Sequence, residues 1–88
     1  MNKQYDILFK VHDKGIVCIL KNKKDRYTLG LNDNQVYELK DFKWCEIDNV
    51  KGSKDMVDYI FDKYSIKDKY NKNDMLVILD ELLSDETS

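Results

Sequence analysis

Val50-Lys51-Gly52-Ser53-Lys54-Asp55-Met56-Val57-Asp58-Tyr59-Ile60-Phe61-Asp62-Lys63-Tyr64 is the stretch in which the chain changes its period. From Val57 onward the apolar residues Val57, Ile60, Phe61 and Tyr64 fall at i, i+3, i+4 and i+7, the spacing of one face of an α-helix. Gly52-Ser53 marks the switch, with Ser53 as the expected helix cap. Asp55 suits the positive amino-terminal end of the helix and Lys63 its last turn, and Asp55, Asp58 and Asp62 line the opposite, polar face.

Upstream the period is two. Tyr5, Ile7, Phe9 and Val11 alternate with Asp6, Leu8 and Lys10, the pattern of a strand with one buried face, ended by Asp13-Lys14-Gly15. That turn fits a three-residue hairpin loop with a left-handed glycine in last place. Ile16 to Lys21 is β-branched and apolar on both faces, as an interior strand should be. Asn22-Lys23-Lys24-Asp25 is a polar turn, after which Tyr27, Leu29 and Leu31 alternate with Arg26, Thr28 and Gly30. Asn32-Asp33-Asn34 offers residues that tolerate positive φ, and Gln35 to Lys40 resumes as a strand. The stretch Phe42 to Ile47 reads as a fifth strand or as a bent continuation of the fourth. If it is extended, Phe42 and Trp44 share one face with Glu46, and Lys43, Cys45 and Ile47 share the other.

Downstream, Ser65 to Lys72 is a polar loop, and a second helix is expected from about Asn73 or Asp74. Met75, Leu76, Ile78, Leu79, Leu82 and Leu83 leave it apolar around most of its circumference, so either the sheet, the first helix and the loop before Lys72 cover it entirely, or some of Leu76, Val77 and Leu83 are left over for self-association or docking. Residues 85–88 form an acidic tail expected to fray. The fold class is therefore α+β: a four- or five-stranded antiparallel meander over residues 1–51, then a helical pair over 53–84 packed on the sheet. At 88 residues this is one domain with one core.

Composition bounds the function. The longest unbroken apolar runs, Ile16 to Leu20 and Met75 to Leu79, are far shorter than the roughly 20 residues that span a bilayer. Met1-Asn2-Lys3-Gln4-Tyr5-Asp6 does not resemble a signal peptide, so a cytoplasmic location is expected. Cys18 and Cys45 are expected as reduced thiols, paired only if facing strands bring them together. There is no Ala or Pro, and one Arg stands against 14 Lys. That codon-level bias points to an AT-rich bacterium or its phage as the source.

Chemistry-bearing motifs are sparse. The single histidine, His12, stands at a strand end and cannot build a transition-metal site without a thiol cluster. An EF-hand register begun at Asp68 meets Tyr70 and Lys72 where acids are needed. Gly15, Gly30 and Gly52 are dispersed and open no phosphate-binding loop. Ser53, Ser65, Cys18 and Cys45 have no obvious histidine base. Neither a cofactor nor a metal nor a catalytic residue is expected, and the protein is read as no enzyme.

Residues 1–52 carry net +2 and residues 53–88 net −4. Basic residues concentrate at Lys21, Lys23, Lys24 and Arg26, with Lys40 and Lys43 further on. Ten aromatic residues are many for so small a core. These features lead to the expectation of a small non-catalytic protein-binding module, an inhibitor or regulator of a larger macromolecule. Its expected partner-binding residues are Phe42, Trp44, Asp55, Asp58, Asp62, Val77 and Leu83. The expected partner is another protein, with homo-oligomerisation through the second helix and no membrane. The alternative is a nucleic-acid-binding accessory protein that uses the Lys21 to Arg26 hairpin.

Overall fold

The computed structural model describes residues 5–13, 15–64 and 66–87, excepting the side chains of 85–87. The expectations for Met1 to Gln4, Lys14, Ser65 and Ser88, and for the side chains of Asp85 and Glu86, lie outside the described residues. Five strands, β1 (Asp6–His12), β2 (Gly15–Lys21), β3 (Arg26–Asn32), β4 (Gln35–Lys40) and β5 (Lys43–Lys51), precede α1 (Gly52–Lys63) and α2 (Lys72–Thr87). The strands form an antiparallel meander in the order β1-β2-β3-β4-β5. This is the expected α+β fold, with β5 a separate strand.

Short turns set the register. Asp33 and Asn34 have φ 50° and 68°, and Asp41 and Phe42 have φ 50° and 65°, the paired left-handed conformation of two-residue hairpins whose twist matches that of the strands. Asp and Asn enter that region readily because their short polar side chains bond locally, whereas phenylalanine has no such help. At the first hairpin His12 pairs with Gly15, and Asp13 is left-handed at φ 53° whereas Gly15 is not. The expectation of a left-handed Gly15 is thereby corrected. Glycine is needed there for a different reason, since a Cβ would lie 2.5 Å from the Leu31 carbonyl oxygen. At the β2–β3 turn the Asn22 carboxamide oxygen accepts from the amides of Lys24 and Asp25 at 2.9 and 2.7 Å, which locks the loop.

One face of the sheet carries the core. Ile16, Cys18, Leu20, Leu29, Leu31 and Val36 are buried there beneath Met56, Val57, Ile60 and Phe61 of α1, Tyr64 just past its end, and Met75 and Leu79 of α2. The stripe read from the sequence of α1 is buried as expected. Helix α1 lies over β3, β4 and β5, and α2 over β1 and β2, so the two helices together roof that face. Each side chain so buried contributes roughly 1.5–3 kcal/mol, and the helices stay folded because of this packing rather than by their own propensity.

The helix starts differ from one another. Ser53 is not the cap of α1. Lys51 holds that position with no side-chain bond, and its amide is satisfied by the Asp55 carboxylate at 3.1 Å. The chain enters α1 directly from β5, which leaves no extended residue at Ser53 to act as a cap. Asn71 caps α2, its side-chain oxygen accepting from the amides of Asn73 and Asp74 at 2.8 and 3.3 Å. Helix α2 then runs to Thr87, into the stretch expected to fray.

Candidate functional site

The helices cover one face of the sheet and leave the other open. Pairing places its residues in rows across the strands. Leu8 faces Ile19, Ile19 faces Thr28, Leu39 continues the line one step past the Leu29–Glu38 pair, and Leu39 faces Trp44. This row is apolar apart from one threonine and crosses all five strands, about 19 Å at the usual strand spacing. On one side runs Asp6–Lys21–Arg26, and on the other Lys10–Val17–Gly30–Tyr37–Glu46. Leu8, Leu39 and Trp44 are exposed, Trp44 by 49%.

Trp44 is held in place by what lies beneath it. A Cβ built on Gly30 would meet the Trp44 ring at 3.1 Å, so the indole rests against bare backbone two strands away. A side chain at position 30 would push the ring outward by a few tenths of an ångström. Trp44 also walls a shallow depression of about 350 Å³, bounded by His12, Asp13, Val17, Gly30, Asn32 and Tyr37. The depression is suited to an inserted side chain rather than to an enclosed substrate.

The acids of this face are neutralised and most of its cations are not. Asp6 pairs with Lys69, which holds its carboxyl below the usual range and lifts the Lys69 ammonium. Glu46 pairs with Lys51 at 3.7 Å. Lys10, Lys21 and Arg26 form no ion pair with a described residue.

Both sheet edges are closed to strand addition over part of their length. The Tyr70 hydroxyl, brought in by the loop before α2, accepts from the Ile7 amide of β1 at 3.1 Å. On β5 the register jumps, since Tyr37 faces Glu46 while Gln35 faces Lys51, and Asn49 within the excess has φ 67°. The Gln35 carboxamide bonds the carbonyls of Val36 and Ile47 at 3.0 and 3.1 Å and fills the irregularity. Such bulges and capped edges discourage pairing with a foreign strand.

Sequence-chosen residues separate into those that reach this surface and those with structural duties. Trp44 and Glu46 share the open face as expected. Phe42 does not join them in a strand; it stands in the β4–β5 turn with 99% of its side chain exposed. Asp55 satisfies the Lys51 amide, and Asp58 pairs with Lys72 at 3.2 Å, joining α1 to α2. Asp62 is exposed on α1. Val77 is 55% exposed on the outside of α2, whereas Leu83 is partly buried and packs against the core together with Leu76 and Leu82. Ile78 is exposed beside Val77. The composition of Leu8, Ile19, Leu39 and Gly30 carried no sign of a site, because their common row exists only once the register is fixed.

The basic residues also converge. A meander puts the β2–β3 and β4–β5 turns at the same end of the sheet, so Lys21, Lys23, Lys24 and Arg26 share that end with Lys40 and Lys43. Asp25 and Asp41 stand in the same two turns, and Lys40 is engaged by Glu38 at 3.7 Å. Glu38 is itself buried on the roofed face and also pairs with Lys63 at 3.3 Å. The Lys63 ammonium is raised above its ordinary value first by the Tyr59 hydroxyl, with Glu38 adding to the effect.

Cys18 and Cys45 are unpaired. Their strands are three positions apart in the sheet, about 14 Å at the usual spacing, so the conditional disulfide is ruled out within one chain. Burial pushes the Cys18 thiol up to about 12, which makes it inert, whereas Cys45 is exposed. Among the described residues no group of three or more His, Cys, Asp or Glu side chains could hold a metal ion, and no helix is long and apolar enough to cross a membrane. Comparison with protein families, curated proteins and solved structures finds no match.

Proposed function

We propose that this protein is a non-catalytic module that binds another protein through the helix-free face of its sheet, in the manner of an inhibitor or regulator. The observation that carries this reading is the apolar row Leu8–Ile19–Thr28–Leu39–Trp44, bordered by Lys10, Lys21 and Arg26. An apolar centre with a charged border is the anatomy of a protein interface, and a tryptophan seated on backbone is pre-ordered to act as an anchor. Phe42 extends the surface beyond the sheet. The unpaired, exposed Cys45 supports a reducing, cytoplasmic setting.

The clustered lysines favour a second reading, single-stranded nucleic acid held by the basic end with Phe42 and Trp44 as stacking platforms. The two separate by experiment. Tagged wild-type protein and a Leu39→Lys variant are used as baits in extract of the source cell, and both are titrated with random single-stranded DNA at rising salt. The protein-binding reading expects a partner retained by the wild type and lost by the variant, with no appreciable DNA binding. Tight DNA binding that falls steeply with salt and is indifferent to Leu39 would instead establish the nucleic-acid reading.

A further inference from the structure

The outer stripe of α2 complements the open face. Asp74, Val77, Ile78 and Glu81 fall at i, i+3, i+4 and i+7, and all four are exposed, as is Asp80 beside them. Two β-branched apolar side chains are therefore bracketed by acids that form no ion pair with a described residue. On the other side of the molecule an apolar row is bracketed by Lys10 and by Lys21 and Arg26, likewise without ion pairs. From Asp74 to Glu81 the helix rises about 11 Å, which fits within the row of about 19 Å. Each surface has what the other lacks, in charge and in apolar contact.

Building on the reading of the open face as a protein-docking surface, we infer that its occupant is a second copy of this chain, which presents Asp74, Val77, Ile78 and Glu81 of α2. Because α2 packs on the roofed face and the apolar row lies on the opposite one, the contact is head-to-tail. Each protomer uses one surface to give and another to receive, so the assembly grows as a ring or an open filament rather than stopping at a two-fold dimer. One helix stripe on one sheet row buries less than the roughly 1,600 Å² of a standard interface, so association is weak and salt-sensitive.

Analytical ultracentrifugation of the whole chain, up to about 1 mM to suit so small an interface, tests this with two variants. Leu39→Lys damages the receiving face and Val77→Lys the giving helix. Both positions are exposed, and circular dichroism verifies that each variant is folded. The wild type is expected to form concentration-dependent oligomers that weaken with salt, and each variant alone is expected to be monomeric. An equimolar mixture should form a dimer and nothing larger, because the intact helix of the Leu39 variant meets the intact face of the Val77 variant at a single junction.

A wild type that stays monomeric overturns the inference. So does association lost in Leu39→Lys but kept in Val77→Lys, which means face-to-face pairing, and so does a mixture that remains monomeric. If the wild type is monomeric yet captures a foreign protein through Leu39, the inference fails while the reading of the face stands. If it does neither, both fall.

Discussion

Phe42 occupies the second place of a two-residue turn at φ 65° with its ring almost wholly in solvent. A left-handed conformation costs a residue with a Cβ about 1–2 kcal/mol, and glycine escapes that cost at some expense in chain entropy. Phe42→Gly is therefore expected to raise the unfolding free energy by about 0.5–1 kcal/mol in urea titration, while weakening partner capture. A loss of stability would show that the ring packs on the protein and is not held out for a partner. The sequence placed Phe42 in a strand because its aromatic side chain favours one, and nothing in Asp41-Phe42 announces a turn. Only the pairing of Lys40 with Lys43 reveals it. Strained residues that bury nothing collect at working surfaces, which agrees with the role proposed for this one.

At the scale of elements, α1 was legible because its apolar period, its first-turn acid and its last-turn base all agree, and its packing follows. Phe61→Ala should cost about 3–5 kcal/mol, whereas Asp62→Ala on the exposed side should stay within about 0.5 kcal/mol, both by chemical denaturation. Equal and small effects would contradict the packing of α1 on β3 to β5. What the pattern could not supply was the helix start, since Ser53 has the right chemistry but is already the second residue of the helix, and Asp55 of the first turn satisfies the Lys51 amide instead. Helix α2 shows the opposite balance. Its apolar excess was visible, but which residues remain outside depends on the rotation of the helix over β1 and β2. That rotation exposes Val77 and Ile78 and turns Leu76 and Leu83 inward.

For the whole molecule, the strand order of a meander follows from its short turns, and it was readable for that reason. The open face was not. Leu8, Ile19, Thr28, Leu39 and Trp44 come from all five strands at irregular sequence spacing, and a one-residue slip in any strand would send its member to the roofed side. The two halves of the chain differ in net charge, yet the meaning of that difference lies in the pairing. Asp6, Glu46, Asp55 and Asp58 are engaged within the fold, which leaves cations on the open face and acids on α2.

Trp44 is the single tryptophan of the chain and stands at one end of the row, so 5-fluorotryptophan incorporation gives one fluorine resonance that reports on this face alone. The spectrum is recorded for the isolated protein across a concentration series and again in extract of the source cell, beside the Leu39→Lys variant. A shift and broadening of the wild-type resonance in one of these settings, absent from the variant, is the result expected of a face that docks protein. A resonance that stays sharp and unmoved while the protein sediments as part of a larger complex would place the contact elsewhere and contradict the account.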